Sequence, residues 1–223
     1  MVSAVVVDNG ERTLAECVAS IRKQRGVDEV IIAAGPKTDT EVAKQVADDV
    51  VGPFNQIGYA RYIGLARSSS DIVMLADSDT IYACGYLGYA LELIDRYPLV
   101  KAGTVYPLDQ RNPLWVVDHL LFKLVGAYEF GWVARKRELV SAINRDGVHR
   151  LLAPRADFGW LPSVLKMPYT VSYRMTCYTR LPTHFTKMYA VPAMGAIAVA
   201  SAIPAVVALA EVEKALRFLH LRH

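Results

Sequence analysis

Cysteine is scarce and scattered: Cys17, Cys84 and Cys177 are the only three in 223 residues. None forms a Cys-x-x-Cys pair, which argues against a zinc site and for a reducing compartment. A dominant charge is missing too. The 25 Lys and Arg against 22 Asp and Glu leave a net +3, too even a balance to make nucleic acid a partner. There is no internal repeat and no low-complexity linker. Met1 to Val7 lacks the charged region and apolar core of a secretory leader, and Asp8 cuts the run short. It is expected to be a first strand instead. What remains is apolar at 53%, enough for one α/β domain of this length to bury a sizeable core.

The order of periodic segments predicts the architecture. Val2–Val7 reads as a buried strand, and Glu11–Gln24 as a helix with Leu14, Cys17, Val18 and Ile21 on one face. Val27–Ala34 is a second strand, Thr40–Ala47 a short helix and Asp48–Val51 a third strand. A β-α-β-α-β order implies a mostly parallel, Rossmann-like sheet with right-handed crossovers, flanked by helices. Gly58–Ser68 then reads as a helix, Ile72–Leu75 as a strand and Tyr86–Tyr97 as a helix stopped by Pro98. Further on, strands are expected at Lys101–Tyr106, Phe130–Ala134 and Tyr169–Tyr173. Helices are expected at Trp115–Gly126, Lys136–Ile143 and Leu161–Lys166.

One stretch carries chemistry. The apolar run Ile72-Val73-Met74-Leu75-Ala76 ends in Asp77-Ser78-Asp79. A buried strand ending in Asp-x-Asp delivers two carboxylates to the sheet edge where ligands of open α/β folds bind. Two carboxylates this close repel unless a cation or donors sit between them. A hard divalent ion holding phosphate oxygens satisfies both. The same residues also suit a solvated turn or helix cap. Four apolar residues followed by Asp-x-Asp are, besides, the opening of the haloacid-dehalogenase phosphatase motif, in which Asp77 would be the nucleophile. In those phosphatases the motif normally closes the first strand and is answered by a later Gly-Asp-x-x-x-Asp. Here it follows a complete βαβαβ half, and no such answer occurs downstream.

Five segments in order resemble the family 2 glycosyltransferases, which have the GT-A fold. They are Val5-Val6-Val7-Asp8-Asn9-Gly10-Glu11; Leu14 with Cys17-Val18-Ala19-Ser20-Ile21 and Gln24; Glu29-Val30-Ile31-Ile32 with Gly35 and Asp39-Thr40; Gly58-Tyr59-Ala60-Arg61-Tyr62-Ile63-Gly64; and Ser70-Asp71-Ile72 through Asp79. The resemblance covers roughly residues 2 to 165. It implies a metal-dependent, inverting transfer of sugar from a nucleotide-diphosphate donor to a carbohydrate or lipid-linked acceptor. Asp77 and Asp79 would hold Mn²⁺ or Mg²⁺ and the donor's diphosphate and ribose, with Arg61 beside the diphosphate. Asp8 and Asp39 would lie in the donor-binding loops. Asp157, in Arg155-Ala156-Asp157-Phe158, matches the acidic segment that supplies the catalytic base. Two departures stand out. Ala34 occupies the place of a base-contacting Asp, and Ala156 that of the Glu usual before the base. They motivate one further alternative, an inactive, membrane-attached scaffold.

On this reading residues 1–180 form the transferase domain, with 1–106 the nucleotide-sugar half and 107–180 the acceptor half. Residues 188–223 form a hydrophobic C-terminal segment. Met188 to Ala210 holds no charge. As a helix it would span about 34 Å, enough to cross a hydrocarbon core of about 30 Å. Pro192 and Pro204 are tolerated better in membrane helices than in soluble ones. A surface helix from about Ala205 is the alternative. The expectation is association with the cytoplasmic face of a membrane. Carbonate extraction of a cell fraction tests it: a spanning segment keeps the protein in the pellet, whereas release into the supernatant rules spanning out.

Overall fold

The computed structural model describes residues 1–108, 131–146 and 167–179. The chain divides into one compact unit of residues 1–106 with 128–179 and a second of 107–127 with 180–223. Residues 107 and 108 are the only described part of the second, so the description below is of the first. The expected elements at 115–126 and 161–166, Asp157 and the whole of 188–223 lie outside the described residues.

The centre of the first unit is β1, Val2–Asp8, buried along its whole length. It pairs in parallel with β2, Val27–Ala34, on one side and with β4, Ile72–Asp77, on the other. β3, Asp49–Val51, extends β2. Continuous apolar runs suit strands covered on both faces, and Val5, Val6, Ile31, Ile32, Val73 and Met74 are wholly buried. Three helices precede β4 in sequence: α1 Leu14–Arg22, α2 Thr40–Val46 and α3 Ile57–Arg67. The strand order 3-2-1-4 reverses direction at β1. Right-handed crossovers therefore place α1 and α3 on opposite faces.

Beyond β4 the sheet departs from expectation. With β5 at Thr80–Tyr82, β6 at Leu99–Pro107, β7 at Trp132–Arg135 and β8 at Tyr169–Thr179, the order of the described strands is β3-β2-β1-β4-β7-β6-β8-β5. β7 runs antiparallel to β4, and β6 antiparallel to β7. β5 is antiparallel to β8. The sheet is mixed rather than mostly parallel. Apolar periodicity reports which side chains are buried and carries no information on strand direction. β5 is not among the expected strands, because three residues after a polar turn show no alternation. β8 runs to Thr179, well past the expected Tyr173. Helices also differ at their ends. α1 begins at Leu14 rather than Glu11, with Thr13 at the N-cap position and its hydroxyl bonded to the Ser78 carbonyl rather than to the helix. α4 (Tyr86–Leu91) is shorter than expected, since the chain to Tyr97 continues in turns that include i→i−3 bonds such as Leu93 N–H to Ala90 and Arg96 N–H to Leu93. α5 (Lys136–Asp146) follows β7 directly.

One core layer lies under α3 and α5. It joins Val5, Val7, Ala33, Leu65, Val73, Leu75, Leu99, Trp132, Leu139 and Ile143. Gly64 sets the approach of α3 to the sheet. A Cβ there would collide with Val5 Cγ1 and meet Ala33 Cβ at 3.5 Å. Gly64→Ala gains roughly 1 kcal/mol of helix propensity. Overpacking against a β-branched side chain on the central strand costs about 1–3 kcal/mol. The variant is expected to melt below the wild type in a thermal scan; an equal or higher melting temperature would show that α3 does not depend on this contact.

Candidate active site at the carboxyl edge of the sheet

The reversal of strand order lies between β1 and β4, and open α/β sheets bind ligands outside the carboxyl ends of strands at such a point. Val7 is opposite Asp77 and Asp8 is opposite Ala34. Asp8, Ala34 and Asp77 thus end three adjacent strands at one edge. This is why an apolar run followed by Asp-x-Asp is informative: the run buries the strand, and its end must emerge where the sheet stops.

The Asp77-Ser78-Asp79 turn is pinned from several directions. The Ser78 N–H donates to the Val7 carbonyl at 3.0 Å. The Thr13 hydroxyl donates to the Ser78 carbonyl at 2.9 Å, and the Cys17 thiol to the Asp77 carbonyl at 3.4 Å. The Asp77 N–H reaches the Tyr82 hydroxyl at 3.4 Å. Tyr82 is itself held edge-to-face against Tyr86, with ring centroids 4.9 Å apart. The Tyr86 hydroxyl donates to the Gly131 carbonyl. Gly131 has φ +60°, and a Cβ there would meet the Tyr82 ring at 2.7 Å, so a glycine is required where this packing closes. Cys17 is a buried structural thiol. Burial first, then the charges of Asp77 and Asp79, push its pKa well above the usual thiol value.

The two carboxylates have different surroundings. Asp77 makes a close ion pair with Arg61, which is almost fully buried on α3. Asp79 accepts from the hydroxyls of Thr80 at 3.1 Å and Thr179 at 3.3 Å, both on Oδ1. Among the described residues it has no cationic partner. Its pKa is raised to about 7, by burial first and then by the charge of Asp77, with the two threonine hydroxyls working in the opposite direction. Among the described residues one cation, Arg61, thus stands against two closely spaced acids.

At the same edge, on the β1–β2 side, is a cleft of about 180 Å³ whose lining does not include Asp77, Asp79 or Arg61. Its lining includes Val7, Asp8 and Asn9 after β1, Gly35 and Lys37 after β2, and Phe54 and Ala60 around the start of α3. The loops that form it are stitched together. The Gly35 N–H donates to the Asp8 carbonyl at 2.6 Å, and the Thr38 hydroxyl to the same oxygen at 2.9 Å. A Cβ on Gly35 would stand 2.6 Å from Asn9 Oδ1.

The sequence-predicted residues separate into four groups. Asp77, Asp79 and Arg61 come together. Asp8 lines the cleft, but its carboxylate accepts the N–H groups of Gly10 at 3.0 Å and Glu11 at 3.1 Å and so shapes its own loop. Asp39 is an exposed N-cap of α2, accepting from Glu41 and Val42 N–H at 3.1 Å each, and does not line the cleft. Asp157 lies outside the described residues. Sequence reasoning missed Thr13, Tyr82, Thr80 and Thr179 as supports of the turn. Only Thr13 had a local signal, a hydroxyl residue just before an apolar-periodic helix.

A divalent cation fits this donor set. Asp77 and Asp79 offer hard oxygen ligands, and Asp79 is a carboxylate whose charged form is disfavoured by burial and then by the charge of Asp77. Among the described residues, no group of three or more His, Cys, Asp or Glu is placed to hold a metal. The remaining positions would fall to ligand oxygens and water, as is usual for Mg²⁺ with phosphates.

Residues 4–146 match the family model for glycosyl transferase family 2. Among solved structures, the chain is similar to Staphylococcus aureus TarS 1–349, at 17% identity and TM-score 0.61, over 84% of this chain and 63% of that one. The TarS structure with UDP-GlcNAc gives 16% identity and TM-score 0.59, over 80% and 58%. The Mycobacterium tuberculosis glucosyl-3-phosphoglycerate synthase with Mn²⁺, UDP-glucose and phosphoglyceric acid gives 22% identity and TM-score 0.52, over 76% and 68%. Likeness at these identities is a likeness of fold. The chain spans 63% of the TarS fragment's length. No curated protein matches the chain.

In the metal-free protein, Asp79 holds a proton up to pH about 7 when folded, against 3.8 for the ordinary carboxyl. Between these values the folded state binds more protons than the unfolded state, so stability falls as pH rises through that window and stays lower above it. Asp79→Asn removes this titration. In EDTA, the drop in melting temperature between about pH 5 and about pH 8 should be smaller for the variant; identical slopes would contradict the account.

Proposed function

This chain belongs to glycosyl transferase family 2, and from that premise we propose that it transfers a sugar from a nucleotide-diphosphate donor to an acceptor hydroxyl with inversion at the anomeric carbon. The observation that carries the reading is the Asp77/Asp79 pair at the switch point of the parallel strands, with Arg61 bound to Asp77 and the cleft at the same edge. The described fold is an α/β fold of the GT-A type, with a mixed sheet flanked by helices.

The cleft after β1 and β2 receives the nucleoside, with Asp8 holding its wall and Lys37 at its rim. Asp39 fixes the start of α2 at the far side of the same loop. Asp77 and Asp79 hold a divalent cation, Mn²⁺ or Mg²⁺, which when bound offsets the charge that gathers on the diphosphate as it leaves. Arg61 orients Asp77 and adds a buried positive charge beneath the same group. The acceptor oxygen forms its bond to the anomeric carbon as the bond to the phosphate oxygen breaks. The diphosphate departs with the electron pair, and Asp157 takes the hydroxyl proton. UDP-sugars are the first donors to test, since TarS and the mycobacterial synthase have been crystallised with UDP-GlcNAc and UDP-glucose. The acceptor is proposed to be a carbohydrate or lipid-linked hydroxyl, with residues 188–210 keeping the enzyme at the cytoplasmic face of a membrane. Among the described residues no helix is long and apolar enough to cross one.

The phosphatase reading has lost its footing. The motif closes the fourth strand of the sheet, and the family match runs through it. The full phosphatase motif runs Asp-x-Asp-x-Thr, and Ile81 stands at the place of that Thr.

A panel of UDP-, GDP- and dTDP-sugars with Mn²⁺ or Mg²⁺ tests the proposal by donor hydrolysis or thermal shift. Asp77→Asn and Asp79→Asn should each lower turnover by about 100-fold or more. Asp157→Asn should lower kcat by roughly 100- to 10,000-fold with donor KM little changed. If no donor binds or is turned over with either metal, the transferase reading fails. Donor binding without transfer to any acceptor in a cell extract would favour the inactive scaffold.

A further inference from the structure

Thr179 lies a hundred positions from Asp79 in sequence. It is the last residue of β8, and it pairs in antiparallel register with Thr80, the residue after Asp79. Both threonines are fully buried. Their hydroxyls are 2.9 Å apart, and both converge on Asp79 Oδ1, at 3.1 Å from Thr80 and 3.3 Å from Thr179. Each hydroxyl has a single proton, so the pair acts as a relay: one threonine can donate to the other while the second donates to the carboxylate. Among the described residues, Asp79 Oδ2 accepts no hydrogen bond. Among the described residues the carboxylate is therefore anchored through one oxygen and unbonded at the other.

We propose that Thr179 is a positioning residue for Asp79: its hydroxyl, together with that of Thr80, fixes the carboxylate rotamer so that the unbonded oxygen is presented to the divalent cation of a nucleotide-sugar donor. This rests on the reading of Asp79 as a metal-holding residue. Two observations favour positioning over simple burial. β5 is only three residues long, and its pairing partner is β8, so the Thr80–Thr179 pair is where the segment following the acidic turn is tied to the sheet. The hydroxyls are also directed at a partner that would otherwise turn freely about χ1 and χ2. Groups that hydrogen-bond to ligating carboxylates generally tune metal affinity, and removing one costs about 10- to 100-fold.

The test uses the full chain stripped with EDTA and titrated with Mn²⁺ in the presence of UDP, reading free Mn²⁺ by electron paramagnetic resonance. Thr179→Val keeps the shape and removes the hydroxyl; it should weaken Mn²⁺ binding about tenfold. Thr179→Ser restores the hydroxyl on a smaller side chain and should bind close to wild type. Asp79→Asn serves as the reference for the parent reading. If Asp79→Asn loses binding while Thr179→Val binds like wild type, the positioning role is overturned and the metal reading stands. Should Thr179→Ser bind as weakly as Thr179→Val, packing rather than the hydroxyl is responsible, and the proposal is overturned. If Asp79→Asn binds as the wild type does, the metal reading itself fails and takes this inference with it.

Discussion

The structure depends on placing two negative charges two residues apart at the end of a buried strand without letting them push the turn open. Asp77 has Arg61 to balance it. Among the described residues Asp79 is met only by hydroxyls, and burial, then the charge of Asp77, pushes its carboxyl toward the neutral form against them. In water the pair would separate by turning the chain. Here the backbone is denied that freedom: Val7 holds Ser78 from β1, Thr13 and Cys17 hold the two carbonyls from α1, and Tyr82 takes the Asp77 N–H. The repulsion is retained in the folded state, and a cation between the two carboxylates would relieve it.

That constraint explains features that otherwise look incidental. Thr13 gives up the capping role its type favours because its hydroxyl is needed at the turn. Cys17 is buried under the turn as an inert donor rather than a reactive thiol. The tyrosine pair behind β5 closes on a glycine in a left-handed conformation, since no side chain fits there. Packing and polarity share the work. α3 brings Arg61 to the edge only because Gly64, three residues later, lets the helix lie directly on Val5 of the central strand. A core contact thus sets the position of a charge in the site.

The cleft at the same edge obeys the same logic with weaker forces. Its walls are loops held by backbone and hydroxyl bonds to the Asp8 carbonyl, and the Asp8 carboxylate serves its own loop. Asp8 and Asp39 are both acids after a strand, and both are expected at the donor from the resemblance. In the fold one lines the cleft, and the other caps a helix in solvent. An acid in a turn signals that something nearby needs an acceptor; whether that is the chain's own N–H or a ligand depends on which way the loop faces.

The amino-acid sequence alone indicated that the first half of the sheet is parallel, because unbroken apolar runs separated by amphipathic helices imply right-handed crossovers; the strand order 3-2-1-4 came only with the fold. It determined as well that Asp77 and Asp79 emerge at the sheet edge, because the burial of Ile72 to Leu75 is local. Arg61 was legible through its place in an ordered set of motifs. Tertiary structure decided the rest. Strand direction beyond β4 leaves no trace in periodicity, so the mixed sheet appears only when β7 pairs with β4. Arg61's choice of Asp77 over solvent depends on how closely α3 approaches β1. The hold of Thr179 on Asp79 depends on a strand pairing across a hundred residues, and no local pattern reports a hydrogen bond between positions that only the folded sheet makes neighbours.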